Sequence, residues 1–115
     1  MTIYSLSLEL SNHIWDEVKL WDNFAKNTIG NQLVRSADSI PANISEGYGR
    51  YHFKEQKQFL YYARGSLFET KTFIKIAYTR KLIKEEKYSQ FISILDTLGK
   101  KLNTFIKTVG NIKNP

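Results

Sequence analysis

The amino-acid sequence predicts an all-α protein, an antiparallel up-down four-helix bundle occupying residues 1–115 as one domain. Three observations carry that expectation. Apolar residues recur at helical spacing along nearly the whole chain, no stretch alternates with the two-residue period of a strand, and the breaks between periodic stretches are short. With 115 residues, 42% of them hydrophobic, the chain can build one core and is short for two.

The first periodic stretch carries Ile14, Val18, Trp21 and Ala25 on one face, with Trp15 and Phe24 beside them. It predicts a helix over about 6–28, closing near Thr28–Gly30. Asn31 can then cap a second helix, 31–48, whose stripe is Leu33, Ala37, Ile40 and Ile44. Pro41 inside it removes one backbone hydrogen bond and crowds the preceding turn, at about 3 kcal/mol. Because Ile40 and Ile44 stay on one face across it, the helix is expected to continue with a kink. The run Gly47-Tyr48-Gly49-Arg50-Tyr51 ends it.

Phe53, Leu60, Ala63, Leu67, Ile74 and Ala77 step by threes, fours and sevens, predicting a third helix over 52–80 about 40 Å long. Gly65 in its middle costs about 1 kcal/mol relative to alanine and is expected to admit another backbone closely. Tyr88, Leu95, Leu102 and Val109, with rows through Phe91 and Ile92 beside them, predict a fourth helix over 85–109. Glu85 and Glu86 suit its positive end, and Gly110 is placed to cap it in the left-handed region.

Composition narrows the function. The absence of cysteine removes disulfides, thiolate catalysis and zinc fingers. No Glu-x-x-His pair is present for a di-iron site, and neither a Gly-x-Ser-x-Gly nor a Gly-x-x-x-x-Gly-Lys-Ser/Thr motif occurs. The histidines stand as His13-x-x-Asp16-Glu17 and His52-x-x-Glu55 among ordinary surface charges. A non-enzymatic protein without cofactor or metal is the expectation. No apolar run approaches the ~20 residues of a membrane span, and the first residues lack a secretory leader, so a cytoplasmic location is expected.

The net charge of +6 is unevenly spread. Residues 1–48 hold three basic side chains against six acidic ones, whereas 49–115 hold fourteen against five. Arg50, Lys54, Lys57, Arg64, Lys71 and Lys75 fall on one stripe of the third helix, with Tyr61 and Phe68 in its vacant turns. Cations interleaved with aromatics can neutralise phosphates and stack on unpaired bases. Nucleic-acid contacts, to RNA first and DNA second, are therefore expected at Arg50, Lys54, Lys57, Lys71, Lys75, Lys100, Lys101 and Lys107. The same flanking stripe could equally edge an oligomer.

A second polar pattern lies on the second helix. Ser36, Ser39, Asn43 and Glu46 step by three, four and three beside the core stripe, and small hydroxyl and amide groups there suggest a close helix contact. Arg64, Ser66 and Glu69 of the third helix are the expected partners in a partly buried network. Assembly has its own support. Phe59, Tyr62, Phe73 and Ile76 form a second apolar row on the third helix, and Trp15 and Phe24 exceed what a monomer buries comfortably.

The run Gln32-Leu33-Val34-Arg35-Ser36-Ala37-Asp38-Ser39-Ile40-Pro41-Ala42-Asn43-Ile44-Ser45-Glu46-Gly47-Tyr48-Gly49-Arg50 resembles the signature of the bacterial four-helix-bundle proteins named for intervening sequences in 23S ribosomal RNA genes. Tyr61-Tyr62-Ala63-Arg64-Gly65-Ser66-Leu67-Phe68-Glu69-Thr70 resembles the third-helix motif of that family. The resemblance implies a homopentamer of four-helix bundles with no known catalytic activity. It also implies kinship with the accessory protein of diversity-generating retroelements, a basic pentamer that binds nucleic acid and a reverse transcriptase. A nucleic-acid-processing protein is thus an implied partner, and an adaptor ring without direct nucleic-acid contact is the alternative function.

Overall fold

The structure, a computed structural model, describes residues 2–110; Met1 and residues 111–115, the two ends of the expected domain, lie outside the described residues. Helix α1 spans Ile3–Val18 and starts at Thr2, whose hydroxyl accepts the Ser5 N–H at 3.0 Å. After a turn at 19–22, Asp22 caps a short helix α2, Asn23–Ala25, by accepting the Ala25 N–H at 3.0 Å. The chain then passes through one π-wound turn, Lys26–Gly30, directly into α3, Asn31–Tyr48. Helix α4 covers Phe53–Thr79 and α5 covers Glu85–Gly110.

The four long helices α1, α3, α4 and α5 pack in a ring, α1 and α4 each touching both α3 and α5, in a rod measuring 53 × 23 × 19 Å. Short turns between successive neighbours make them antiparallel, and no strand is present among the described residues. The core runs the length of the rod through Leu10, Ile14, Ile40, Ile44, Leu60, Ile74, Leu95 and Leu98. Each such side chain contributes roughly 1.5–3 kcal/mol by leaving water.

The expected first boundary is corrected. The first helix stops at Val18 rather than near 28, and Asn31 lies inside a continuous helical rod instead of capping its start. Trp21 and Ala25 do reach the core, yet Trp21 does so from the turn and Ala25 from the next helix. Gly30 is buried where α1 ends against the π turn, and a Cβ on it would stand 2.8 Å from Val18 Cγ1 and 3.0 Å from the Ala25 carbonyl oxygen. Its small size admits the neighbouring helix; it ends nothing. Pro41 is buried inside α3, which continues through it.

Two other glycines also depart from expectation. Gly110 is the last residue of α5, and no described glycine has a positive φ, so it is no left-handed cap. Nothing of this chain lies within 4 Å of a Cβ placed on Gly65, whereas Gly47 supplies the close α3–α4 approach, with Gln56 O and Phe59 Cβ at 3.3 Å. The left-handed residue is Lys81, φ 64°, in the α4–α5 turn. There the Leu82 N–H donates to Ala77 O and the Lys81 N–H to Tyr78 O, both at 2.9 Å, satisfying two of the last carbonyls of α4.

Candidate nucleic-acid interface

Positions 54, 57, 61, 64, 68, 71 and 75 of α4 recur at spacings of three and four, so they share one face about 110° from the centre of the core stripe. Positions 96, 100, 103, 107 and 110 of α5 do the same. The helices are antiparallel neighbours, so the two faces meet along an outer groove. At one end Lys57, Tyr61 and Arg64 face Asn103, Lys107 and Gly110 across about 660 Å³ of open space. Lys57 Nζ lies close to Gly110, within 3.0 Å of where a Cβ would stand. Arg64 donates to Asn103 Oδ1 at 3.1 Å.

Tyr61 sits between two cations. The Arg64 guanidinium carbon lies 4.8 Å from its ring centroid and Lys57 Nζ 5.8 Å. Both distances are within the range of cation–π attraction, so the ring helps fix cations that would otherwise sway in solvent. Tyr61 is nonetheless 41% exposed. Farther along, Lys71 donates to Asp96 at 2.7 Å. That bond, and the charges of Lys71, Lys100 and Lys75, hold the Asp96 carboxyl below the ordinary carboxylate range, outweighing an opposing desolvation effect. Among the described residues this face therefore gathers Lys57, Arg64, Lys71, Lys75, Lys100 and Lys107 around a single carboxylate. Lys54, exposed in the first turn of α4, opens the same stripe.

Two of the expected contacts fall elsewhere. Arg50 is bound to Glu46 at 2.5 Å and faces Glu55 at 3.8 Å, with its guanidinium over the Phe59 ring at 4.7 Å. Its charge is spent on the α3–α4 turn. Lys101 lies about 100° round α5 from Lys100, on the side away from Asn103 and Lys107. Tyr61, Asn103 and Arg64 join the groove instead. Tyr61 was already visible in the sequence as the aromatic between cations; Asn103 carried no signal there.

The expected polar network is mostly not assembled. Ser36 is fully buried and donates to Leu33 O, while accepting from Thr70 Oγ1 at 3.0 Å across the α3–α4 contact. Ser39 and Asn43 bond to carbonyls of their own helix, Arg35 O and Ser39 O. Glu46 pairs with Arg50, Glu69 is exposed, and Arg64 turns to α5 rather than α3. Thr70, absent from the expected set, is the true cross-helix partner. A further cross-helix bond missed in the sequence runs from Ser11 Oγ to Asp38 Oδ1, joining α1 and α3.

Of the surplus apolar row, Phe73 and Ile76 pack partly buried against the core, while Tyr62 stays exposed. Around the α1–α2 turn Trp15 is 53% exposed, and Leu20 and Phe24 are each 80% exposed. His13 pairs with Glu9 at 3.6 Å on α1, and the His52 ring meets Tyr51 edge-on. No group of three His, Asp or Glu that could hold a metal occurs among the described residues. No helix there is long and apolar enough to cross a membrane.

An all-helical antiparallel bundle with a cationic seam between its last two helices defines the class. The family model described as 23S rRNA-intervening sequence protein matches residues 1–104, and the chain belongs to that family. No curated protein is a significant match. Among solved structures, a protein of unknown function from the S23 ribosomal protein family of Bacteroides thetaiotaomicron superposes with a TM-score of 0.83 at 24% identity. The match covers 92% of this chain and 99% of that one, a likeness of fold.

Proposed function

We propose that this protein is a non-enzymatic nucleic-acid-binding protein, acting on RNA through the α4–α5 groove and working as a homo-oligomer. The observation that carries the reading is the concentration of six cations about one carboxylate along a groove with an exposed tyrosine. Lysines that serve solubility alone are usually interspersed with acids; Glu55 and Glu69, the acids of α4, lie off this face. Neutralised phosphates release counterions, so such a row gives affinity without requiring a base sequence. Oligomer formation is supported by Trp15, Leu20 and Phe24, whose exposed area favours self-association, with five subunits implied by the family resemblance.

Light scattering on the purified protein with and without a mixed-sequence RNA of ~20 nucleotides tests both parts. A mass above one chain, rising by the RNA's mass on addition at low salt, is expected. A mass that ignores the RNA refutes the binding role. One observation favours a second reading: the same three apolar side chains suit an adaptor ring that contacts another protein. Charge reversal at Lys54, Lys57 and Lys71 would abolish RNA binding on the first reading and leave partner capture intact on the second.

A further inference from the structure

We propose that the α4–α5 groove takes single-stranded nucleic acid, with one unpaired base stacked on the Tyr61–Arg64 pair and its flanking phosphates on Lys57 and Lys107. This rests on the nucleic-acid reading above and narrows it to a strand type. Three features of the groove point the same way.

The first is width. Packed helix axes are about 8–10 Å apart, so the trough between α4 and α5 seats one backbone, whereas a duplex would ride on its rims. The second is the aromatic surface. Tyr61 is 41% exposed inside a groove whose other charged walls are Lys57, Arg64 and Lys107. A phosphate row alone has no use for an exposed ring, and the ring is reachable only by a base that has left its stack. Arg64 lies over that ring, its guanidinium carbon 4.8 Å from the centroid and held by Asn103, so it caps one side of the platform with a planar cation that itself stacks on bases. The third is length. From Lys57 to Lys75 the α4 face runs about 27 Å, room for roughly four to eight nucleotides, which is within the site sizes of single-strand binders. Phe68, 58% exposed and seven residues beyond Tyr61 on the same face, offers a second ring about 10 Å further on. The Lys71–Asp96 pair is the one neutralised step along this track.

The test is fluorescence anisotropy at one fixed low salt concentration with a labelled 12-nucleotide RNA, single-stranded or annealed to its complement. Wild-type protein should bind the single strand at least tenfold more tightly than the duplex. Tyr61→Leu should weaken single-strand binding about tenfold or more while changing duplex binding less than twofold, and Tyr61→Trp should keep it. Because Tyr61 is part-exposed, circular dichroism of the leucine variant should match the wild type. If that variant does not fold, quenching of the added indole in Tyr61→Trp by the single strand, beyond any quenching of wild-type protein, reads the same stacking. Equal or tighter duplex binding, or a Tyr61→Leu affinity within twofold of wild type, overturns the single-strand inference and leaves RNA binding standing. Failure of both RNAs to bind overturns the two together.

Discussion

Raising salt from ~50 to ~200 mM should weaken binding of a short single-stranded RNA by about 100-fold. The magnitude follows from the groove. Lys54, Lys57, Lys75, Lys100 and Lys107 are available to phosphates, while Lys71 is held by Asp96 at 2.7 Å and Arg64 by Asn103 and the Tyr61 ring. Each contact on a single strand contributes about −0.7 to the slope of log K against log salt, so five give about −3.5, and a fourfold salt increase then costs ~130-fold. Asp96→Asn provides the internal check. It removes the one carboxylate of the face and frees Lys71, so affinity should rise at low salt and the slope should steepen to about −4.2. Asp96 titrates below the ordinary carboxylate range because Lys71 bonds to it. With the folded value depressed, the pairing is present above the unfolded carboxylate pKa of ~3.9 and is lost only as pH falls through the lower folded one. The gain from Asp96→Asn should accordingly be the same at pH 6 and pH 8. Anisotropy titrations at four salt concentrations measure all of this. A slope shallower than about −1.5, or an Asp96→Asn variant with unchanged affinity and slope, would refute the assignment of these lysines to phosphate.

The remaining predictions concern the fold and are read by thermal melts, where 1 kcal/mol corresponds to about 4 °C for a chain of 115 residues. Gly30→Ala should lower the midpoint by about 4–8 °C, since overpacking against Val18 at 2.8 Å exceeds the gain in helix propensity; a rise would show that the π turn tolerates a side chain. Gly65→Ala, with nothing within 4 Å, should raise it by about 2–4 °C, and a fall would place a second copy against that position. Thr70→Val should cost about 1 kcal/mol by removing the buried bond to Ser36, whereas Arg64→Leu should cost less; the reverse order would restore Arg64 to a buried network. Lys81→Gly should stabilise by up to about 1 kcal/mol because it relieves the left-handed φ of 64°, and a loss would mean the Lys81 side chain makes a contact that matters.

Most of the bundle was legible because three of its helices carry unbroken apolar rows. Leu33 to Ile44, Leu60 to Ala77 and Phe91 to Val109 each mark one buried face, and α3, α4 and α5 lie within a residue of the expected 31–48, 52–80 and 85–109. The first boundary was not legible for a reason within the same rule. Trp21 and Ala25 continue the spacing of Ile14 and Val18, so period alone could not reveal a turn at 19–22. Asp22, two residues before the apolar pair Phe24-Ala25, was the available capping signal. The Lys81 turn was hidden because a lysine occupies a position that usually calls for glycine.

The groove was half legible. The α4 stripe is plain in the spacing, but its meeting with α5 depends on which neighbours pack together, and that is a property of the whole bundle. Lys101 could have been set aside on geometry, since one residue turns a helix by about 100° and Lys100, Asn103 and Lys107 define the other side. Arg50 could have been set aside too, because Glu46 stands four residues before it, the orientation that favours a helix ion pair. Arg64 shows a different limit: a long side chain flanking the core can turn to either neighbour, and only the packed structure gives Asn103.

The central claim, that the α4–α5 groove and not the overall charge binds RNA, is tested most directly by a matched pair of charge reversals on α5. Lys107→Glu and Lys101→Glu alter net charge identically, and both side chains are exposed. Lys107→Glu should weaken RNA binding at least tenfold, and Lys101→Glu should weaken it less than threefold. Equal losses from the two variants would contradict the account and return the +6 to a diffuse attraction with no site.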